Sequence, residues 1–118
     1  MAASRSPPRE PNRRADNKNM ERNIYVGVAR LEVHIEDAHS LKEKRSATRP
    51  LVERIRNRHQ VLIIEADHQD LHQRAGFAIS ALSTDPVDLE SRLQRVEKTV
   101  HETWGGSVLA WDVEIIQV

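Results

Sequence analysis

Residues 24–35 read IYVGVARLEVHI, and the alternation within this stretch decides the fold. From Tyr25 onward the odd positions are apolar or small, whereas Arg30, Glu32 and His34 stand at even positions. Successive side chains of a β-strand point to opposite faces, so a period of two predicts a strand with one buried face. We expect the odd-numbered residues on that face.

Two helix start signals follow along the chain. The S-x-x-E spacing that begins at Ser40 matches a capping box and predicts a helix to about Arg58. The Asp-Pro pair at 85–86 predicts a second helix, with Asp as the N-cap and Pro at the first helical position. The glycine pair at 105–106 ends that helix.

Three more apolar runs predict the remaining strands. They are residues 61–66, residues 74–83 and the alternating stretch from Leu109 to Ile115. Two strand–helix–strand units, each with a right-handed crossover, predict an α+β, ferredoxin-like β-α-β-β-α-β fold. We expect a four-stranded antiparallel sheet with both helices on one face.

Charge separates a tail from a body. Residues 1–22 contain six basic and three acidic residues, a net charge of +3, whereas the other 96 residues contain 12 basic and 15 acidic ones. The tail also has three prolines and few apolar residues, so we expect 1–22 to be a disordered basic tail and 23–118 one domain. The tail is either an arm with weak phosphate affinity or a misassigned start, with translation beginning at Met20.

The composition excludes several classes of protein. Basic and acidic residues both number 18, and this balance excludes a globally basic coat for nucleic acid. The chain has no cysteine, which excludes disulfides, thiolate metal sites and a cysteine nucleophile. No apolar run approaches the roughly 18 residues of a membrane span, so we expect no membrane partner.

Five blocks of sequence carry a resemblance: Val26–His34, His39–Arg45 (HSLKEKR), Arg54–Arg58, Glu65–Leu71 (EADHQDL) and Gln73–Ala75. In this order they resemble the bacterial YlxP-like family, domain of unknown function 503. The resemblance implies a ferredoxin-like fold in a small cytoplasmic bacterial protein. Members tend to be encoded beside translation-initiation and ribosome-maturation factors, which implies ribosome or RNA association. The family supplies no catalytic residues, and both the long tail and His72 depart from its pattern.

The first predicted helix carries a row of basic residues. At 100° per residue, Lys42, Arg45, Arg49 and Arg56 fall within about 60° of each other beside the apolar face. With Lys44, they are the predicted phosphate contacts of a non-catalytic, ribosome- or RNA-associated accessory protein. The alternative is an ordinary solvated helix face, and a kink at Pro50 would move Arg56 out of the row.

An RNA-recognition motif is a second way to bind RNA. The stretch that contains Tyr25 is similar to its first-strand signature, and residues 74–79, with Phe77, are loosely similar to its third-strand signature. Tyr25 stands at an odd position, and the odd-numbered residues are predicted to be buried. Its ring therefore reaches the open face only if Gly27 forms a bulge.

The stretch DHQDLH at 67–72 offers the one metal-like spacing. His68 and His72 would be neighbours on a helix, but here they stand between two strands, where a polar loop is the other interpretation. We expect no metal and no cofactor. A metal-dependent enzyme that uses His68, Asp70 and His72 is the third function considered.

Apolar residues also occupy the face of the sheet opposite the helices. Val26 and Val28 stand at even positions of the first strand, whose side chains are expected on the open face. Val61 and Ile63 belong to a run that is apolar on both faces. These four residues predict a homodimer on the open face or on the 61–66 edge. A protein–protein adaptor or homodimeric module without nucleic-acid binding is therefore the alternative function.

Overall fold

The computed structural model describes residues 23–118, which form one sheet and two helices. The elements are β1 (Tyr25–His34), α1 (Leu41–Arg58), β2 (Leu62–Asp67), β3 (Arg74–Ser83), α2 (Pro86–Thr103) and β4 (Val108–Gln117). All neighbouring strands are antiparallel, in the order β2-β3-β1-β4, so β2 and β4 are the edges. The predicted α+β class and β-α-β-β-α-β order are confirmed, whereas the predicted tail lies outside the described residues.

Both helices begin where their sequence signals predict. Ser40 Oγ accepts a hydrogen bond from the Glu43 N–H at 3.1 Å, while the Glu43 carboxylate accepts one from the His39 N–H at 2.7 Å. Asp85 Oδ1 accepts from the Val87 N–H at 2.9 Å. These bonds satisfy amide groups that have no partner within the helix. Neither helix of the described region is long and apolar enough to cross a membrane.

The core lies between the helices and one face of the sheet. The odd-numbered residues of β1 point into it, and Leu31 stands in register with Phe77 on β3 and Trp111 on β4. Its helical members are Leu51, Ile55, Leu93, Val96 and Val100. One cluster thus contains side chains from both helices, which confirms the predicted orientation of the first strand.

Tyr25 and Phe77 both lie on the helix side of the sheet. The β1–β3 register runs from Tyr25 to His34 without a shift, so Gly27 forms no bulge that would turn the tyrosine around. Phe77 is buried in the core. The open face of the described strands therefore lacks Phe, Tyr and Trp, and the base stacking of an RNA-recognition motif is excluded there.

Gly76 permits an irregularity at the end of the β2–β3 ladder. The register shifts between Glu65 and Asp67, and Asp67 then stands opposite Gly76. A Cβ atom added at position 76 would lie 2.8 Å from the Asp67 Cβ. This close approach lets β2 leave the sheet and enter the loop of residues 68–73.

We expect Gly76→Ala to lower the free energy of unfolding by about 1–3 kcal/mol, because the crowded neighbour is a Cβ rather than a flexible side-chain end. Gly105→Ala is the control, since nothing lies within 4 Å of a Cβ there, and it should change stability by less than about 0.5 kcal/mol. Urea unfolding measures both variants. Equal midpoints would contradict the role of Gly76.

Candidate functional site

Four basic side chains form one flank of α1. Lys42, Arg45, Arg49 and Arg56 are all exposed, and we call them the basic flank. The three arginines line a cleft of about 430 Å³ between α1 and the edge strand β2. The helix continues through Pro50, and Arg56 lines this cleft together with Arg45 and Arg49. Pro50 therefore does not move Arg56 away from the other arginines.

Most of the basic flank is free of protein partners. Within residues 23–118, the side chains of Lys42, Arg45 and Arg49 make neither a hydrogen bond nor an ion pair, whereas the Arg56 guanidinium donates to the Ile63 carbonyl at 3.2 Å. Glu53 is the unpaired acid that lines the same cleft. Positive charge therefore dominates this flank of the helix.

The prediction that Lys44 contacts phosphate is wrong. Its side chain is only 3% exposed, and its ammonium group donates to the carbonyls of His68 and Leu71 at 2.8 Å and of Arg74 at 3.0 Å. The Glu65 carboxylate lies 2.9 Å from the same nitrogen. Lysine is rarely buried unless it is paired, and here its partners leave no proton for an external phosphate. Lys44 anchors the loop between β2 and β3 instead.

That loop holds His68 in an unusual conformation. Its φ is +58°, in the left-handed region that β-carbon-bearing residues rarely adopt. The ring Nε2 lies 2.6 Å from Glu32 Oε2, and the Arg74 guanidinium binds the same carboxylate. Neighbouring groups thus hold both the ring and the carbonyl of His68 in place. A left-handed backbone conformation persists where such contacts fix the residue.

The proposed metal pair of His68 and His72 does not form. His68 contacts Glu32, while His72 lines another cleft, of about 430 Å³, with His34 and His39. Among residues 23–118 no group of three or more His, Asp or Glu side chains is placed to hold a metal ion. Both histidines lie in the loop between β2 and β3 and not on a helix, so the four-residue spacing does not bring the two rings together.

The open face of the sheet differs from the predicted interface at two positions. Val26 and Val28 are half-buried on that face, as predicted, but Ile63 is buried in the core and Val61 packs against it. The even-numbered apolar residues of β2, and not the odd-numbered ones, point to solvent. The exposed apolar residues there are Leu62 (74%) and Ile64 (63%), beside Leu82 of β3 (63%).

The comparisons with known proteins agree with the resemblance of the sequence blocks. Residues 26–113 match the family model described as "Protein of unknown function (DUF503)". The chain is 44% identical over 71 residues to "Uncharacterized protein YlxP" of Bacillus subtilis (strain 168), over 60% of this chain and 77% of the relative. A solved structure, "De novo designed protein Foldit4", matches 80% of this chain and 96% of its own with a TM-score of 0.45 and 16% identity.

We expect Lys44→Met to lower the free energy of unfolding by about 3–5 kcal/mol, because it leaves three carbonyls and the Glu65 carboxylate without their cation. Lys42→Met, two residues away and exposed, should change it by less than about 0.5 kcal/mol. Urea unfolding followed by circular dichroism compares the two. Similar losses in both variants would contradict the anchoring role of Lys44.

Proposed function

This chain belongs to the DUF503 family of proteins of unknown function, and we propose that it is a non-catalytic accessory protein that binds structured RNA, such as that of a ribosomal subunit, through its basic flank. Such a role implies a cytoplasmic protein, as the resemblance to the YlxP-like family does. The observation that carries the proposal is a set of three cations on one side of α1, Lys42, Arg45 and Arg49, whose side chains have no partner among residues 23–118.

The spacing of the flank suits a backbone rather than a single anion. Lys42 and Arg56 are separated by about 21 Å along the helix at 1.5 Å per residue, with Arg45 and Arg49 between them. Arginine forks bind phosphate oxygens in pairs, whereas lysine acts as a mobile point charge. Because the residues of such a row contact phosphates and not base edges, we expect recognition by shape and charge with little sequence preference.

The surroundings of His68 support a non-catalytic role. Its Nε2 is committed to the Glu32 carboxylate, and its carbonyl is committed to Lys44. A general base needs a nitrogen within reach of a substrate proton and a partner that orients it toward that substrate. Here the neighbours orient the ring toward Glu32, and we therefore assign the cluster to loop structure.

A second candidate function is self-association on the open sheet face, in an adaptor or homodimeric module. It is favoured by three exposed apolar side chains, Leu62, Ile64 and Leu82, which lie on adjacent strands beside Val26. An exposed apolar patch of a few hundred Å² on a small domain is typical of an interface. This candidate uses a different surface from the basic flank, so the two functions are separable by mutation.

We expect the affinity for structured RNA to depend steeply on salt. Four phosphate contacts give a slope of about −3 in log K against log salt, which is roughly a 60-fold loss between 50 and 200 mM. The variant Lys42→Ala/Arg45→Ala/Arg49→Ala should keep its fold and reduce the slope to about −1. The control Arg54→Ala/Arg58→Ala/Lys98→Ala removes the same charge from other exposed positions and should keep the parent's slope. Co-sedimentation with ribosomal subunits and fluorescence anisotropy on an RNA hairpin measure this, and a triple variant that binds as tightly as the parent refutes the proposal.

We expect Leu62→Glu to abolish the open-face dimer, because it places a charge in the apolar patch. Val87→Glu, at a similarly exposed position on α2, is the control and should leave the dimer intact. Light scattering distinguishes a dimer from a single chain of 13.5 kDa. A parent that stays at the mass of one chain on concentration excludes this candidate.

A further inference from the structure

The two edges of the sheet carry opposite charges. At the β2 edge stands the basic flank, Lys42, Arg45, Arg49 and Arg56. At the β4 edge stand Glu90 and Glu97 of α2, which we call the acidic flank. Asp112 and Glu114 of β4 lie on the opposite, open face of the sheet, in register with Arg30 and Val28 of β1. On the helix side, two negative charges therefore lie at one edge of the sheet and four positive charges at the other.

The acidic edge has the same construction as the basic one. Glu90, Glu97 and Gln94 of α2 line a cleft of about 420 Å³ above Trp111 and Val113 of the edge strand. The His101 ring lies close to one of these two glutamates, with its Nε2 3.8 Å from the Glu97 carboxylate. Each edge thus combines a strand without an outer neighbour, an apolar strip and one row of charge.

We infer that the two edges of the sheet bind further copies of the same chain, with the β4 edge of one protomer against the β2 edge of the next. An edge strand presents a row of unpaired N–H and C=O groups that another strand can complete. Opposite rows of charge steer two such edges together and fix which edges meet.

The strand directions permit this pairing without rotating either protomer. β2 runs parallel to β1, since both are antiparallel to β3, and β4 runs antiparallel to β1. A second copy displaced along the sheet therefore sets its β4 antiparallel to the first copy's β2. Both copies then keep their helices on the same side, and the acidic flank of one α2 faces the basic flank of the other's α1.

Charge also excludes the symmetric alternatives. Two β2 edges would bring two basic flanks together, eight cations in all, and two β4 edges would bring two acidic flanks together, four carboxylates in all. Like charges in contact cost binding energy. The head-to-tail pairing additionally brings exposed Leu62 and Ile64 to the β4 edge, where Ile116 lies on the same open face, and this contact removes apolar surface from water. Such a heterologous contact continues from copy to copy unless it closes into a ring.

Arg56 is the residue that must change partners. In the single chain its guanidinium covers the Ile63 carbonyl on the β2 edge. On association, the incoming β4 strand supplies the hydrogen-bond donors along this edge, and Arg56 turns to the acidic flank. The inference rests on the charge of the basic flank and not on its binding to RNA. Because phosphates and the acidic flank seek the same cations, RNA and a second copy exclude each other.

The test reverses the charge of one edge at a time. Arg45→Glu/Arg49→Glu cancels the net positive charge of the basic flank, and Glu90→Lys/Glu97→Lys reverses the charge of the acidic flank. Arg45, Arg49 and Glu90 are exposed, and the Glu97 side chain is 38% exposed. In sedimentation velocity the parent should associate with rising concentration and dissociate in high salt. Each variant alone should associate at least about tenfold more weakly. An equal mixture of the two should associate as a pair, because the unchanged β4 edge of the first variant meets the unchanged β2 edge of the second.

A control matched in charge to the glutamate variant is Glu36→Lys/Asp37→Lys, which makes the same change in net charge at exposed positions after the interior strand β1 and should associate like the parent. A parent that remains a single chain at all concentrations overturns the inference. So does a mixture of the two edge variants that associates no better than either variant alone.

The same variants separate this inference from the RNA proposal. Glu90→Lys/Glu97→Lys should lose self-association and keep RNA binding, whereas Arg45→Glu/Arg49→Glu should lose both. Association that responds to charge reversal in a parent that binds no RNA would refute the RNA proposal alone. RNA binding in a parent whose association ignores the charge reversals would refute the edge pairing alone.

Discussion

The buried ammonium group of Lys44 is the interaction on which the rest of the structure depends. It joins α1 to two carbonyls of the loop between β2 and β3, to the carbonyl of Arg74 at the start of β3 and to the Glu65 carboxylate. A buried cation is tolerated only where acceptors surround it, so the loop must take the path that supplies them. That path places His68 in the left-handed region and brings its ring to Glu32.

The same residue sets which side of α1 meets solvent. Lys44, Thr48, Leu51 and Ile55 lie along the buried side of the helix, and the basic flank begins where this side ends, toward β2. If α1 were rotated about its own axis, the arginines would be buried or would point away from the β2 edge. The charge row and the edge strand therefore share a cleft because one buried lysine and three core residues orient the helix.

A second property of the fold is electrical asymmetry in a chain of zero net charge. Cations lie at one edge of the sheet and carboxylates at the other, so the uncompensated charge acts locally even though the total cancels. Both proposals use this separation, the first through the basic edge alone and the second through both edges. Global charge is thus a poor guide to the partners of so small a domain.

Local sequence determined the elements. Alternation in 24–35, the Ser40 and Asp85 caps and the Pro86 start each act over a few residues. The order of helices and strands along the chain, the helix bounds and the fold class were therefore predictable. The position of Arg45 beside Arg49 on the helix was predictable for the same reason. Tertiary structure decided the rest, because partners such as Lys44 and Leu71 are far apart along the chain. Only packing shows that Lys44 is buried and that Ile63, not Ile64, faces the core, since a uniformly apolar strand carries no mark of its two faces. The opposite charge of the two sheet edges likewise appears only when α1 and α2 are set against β2 and β4.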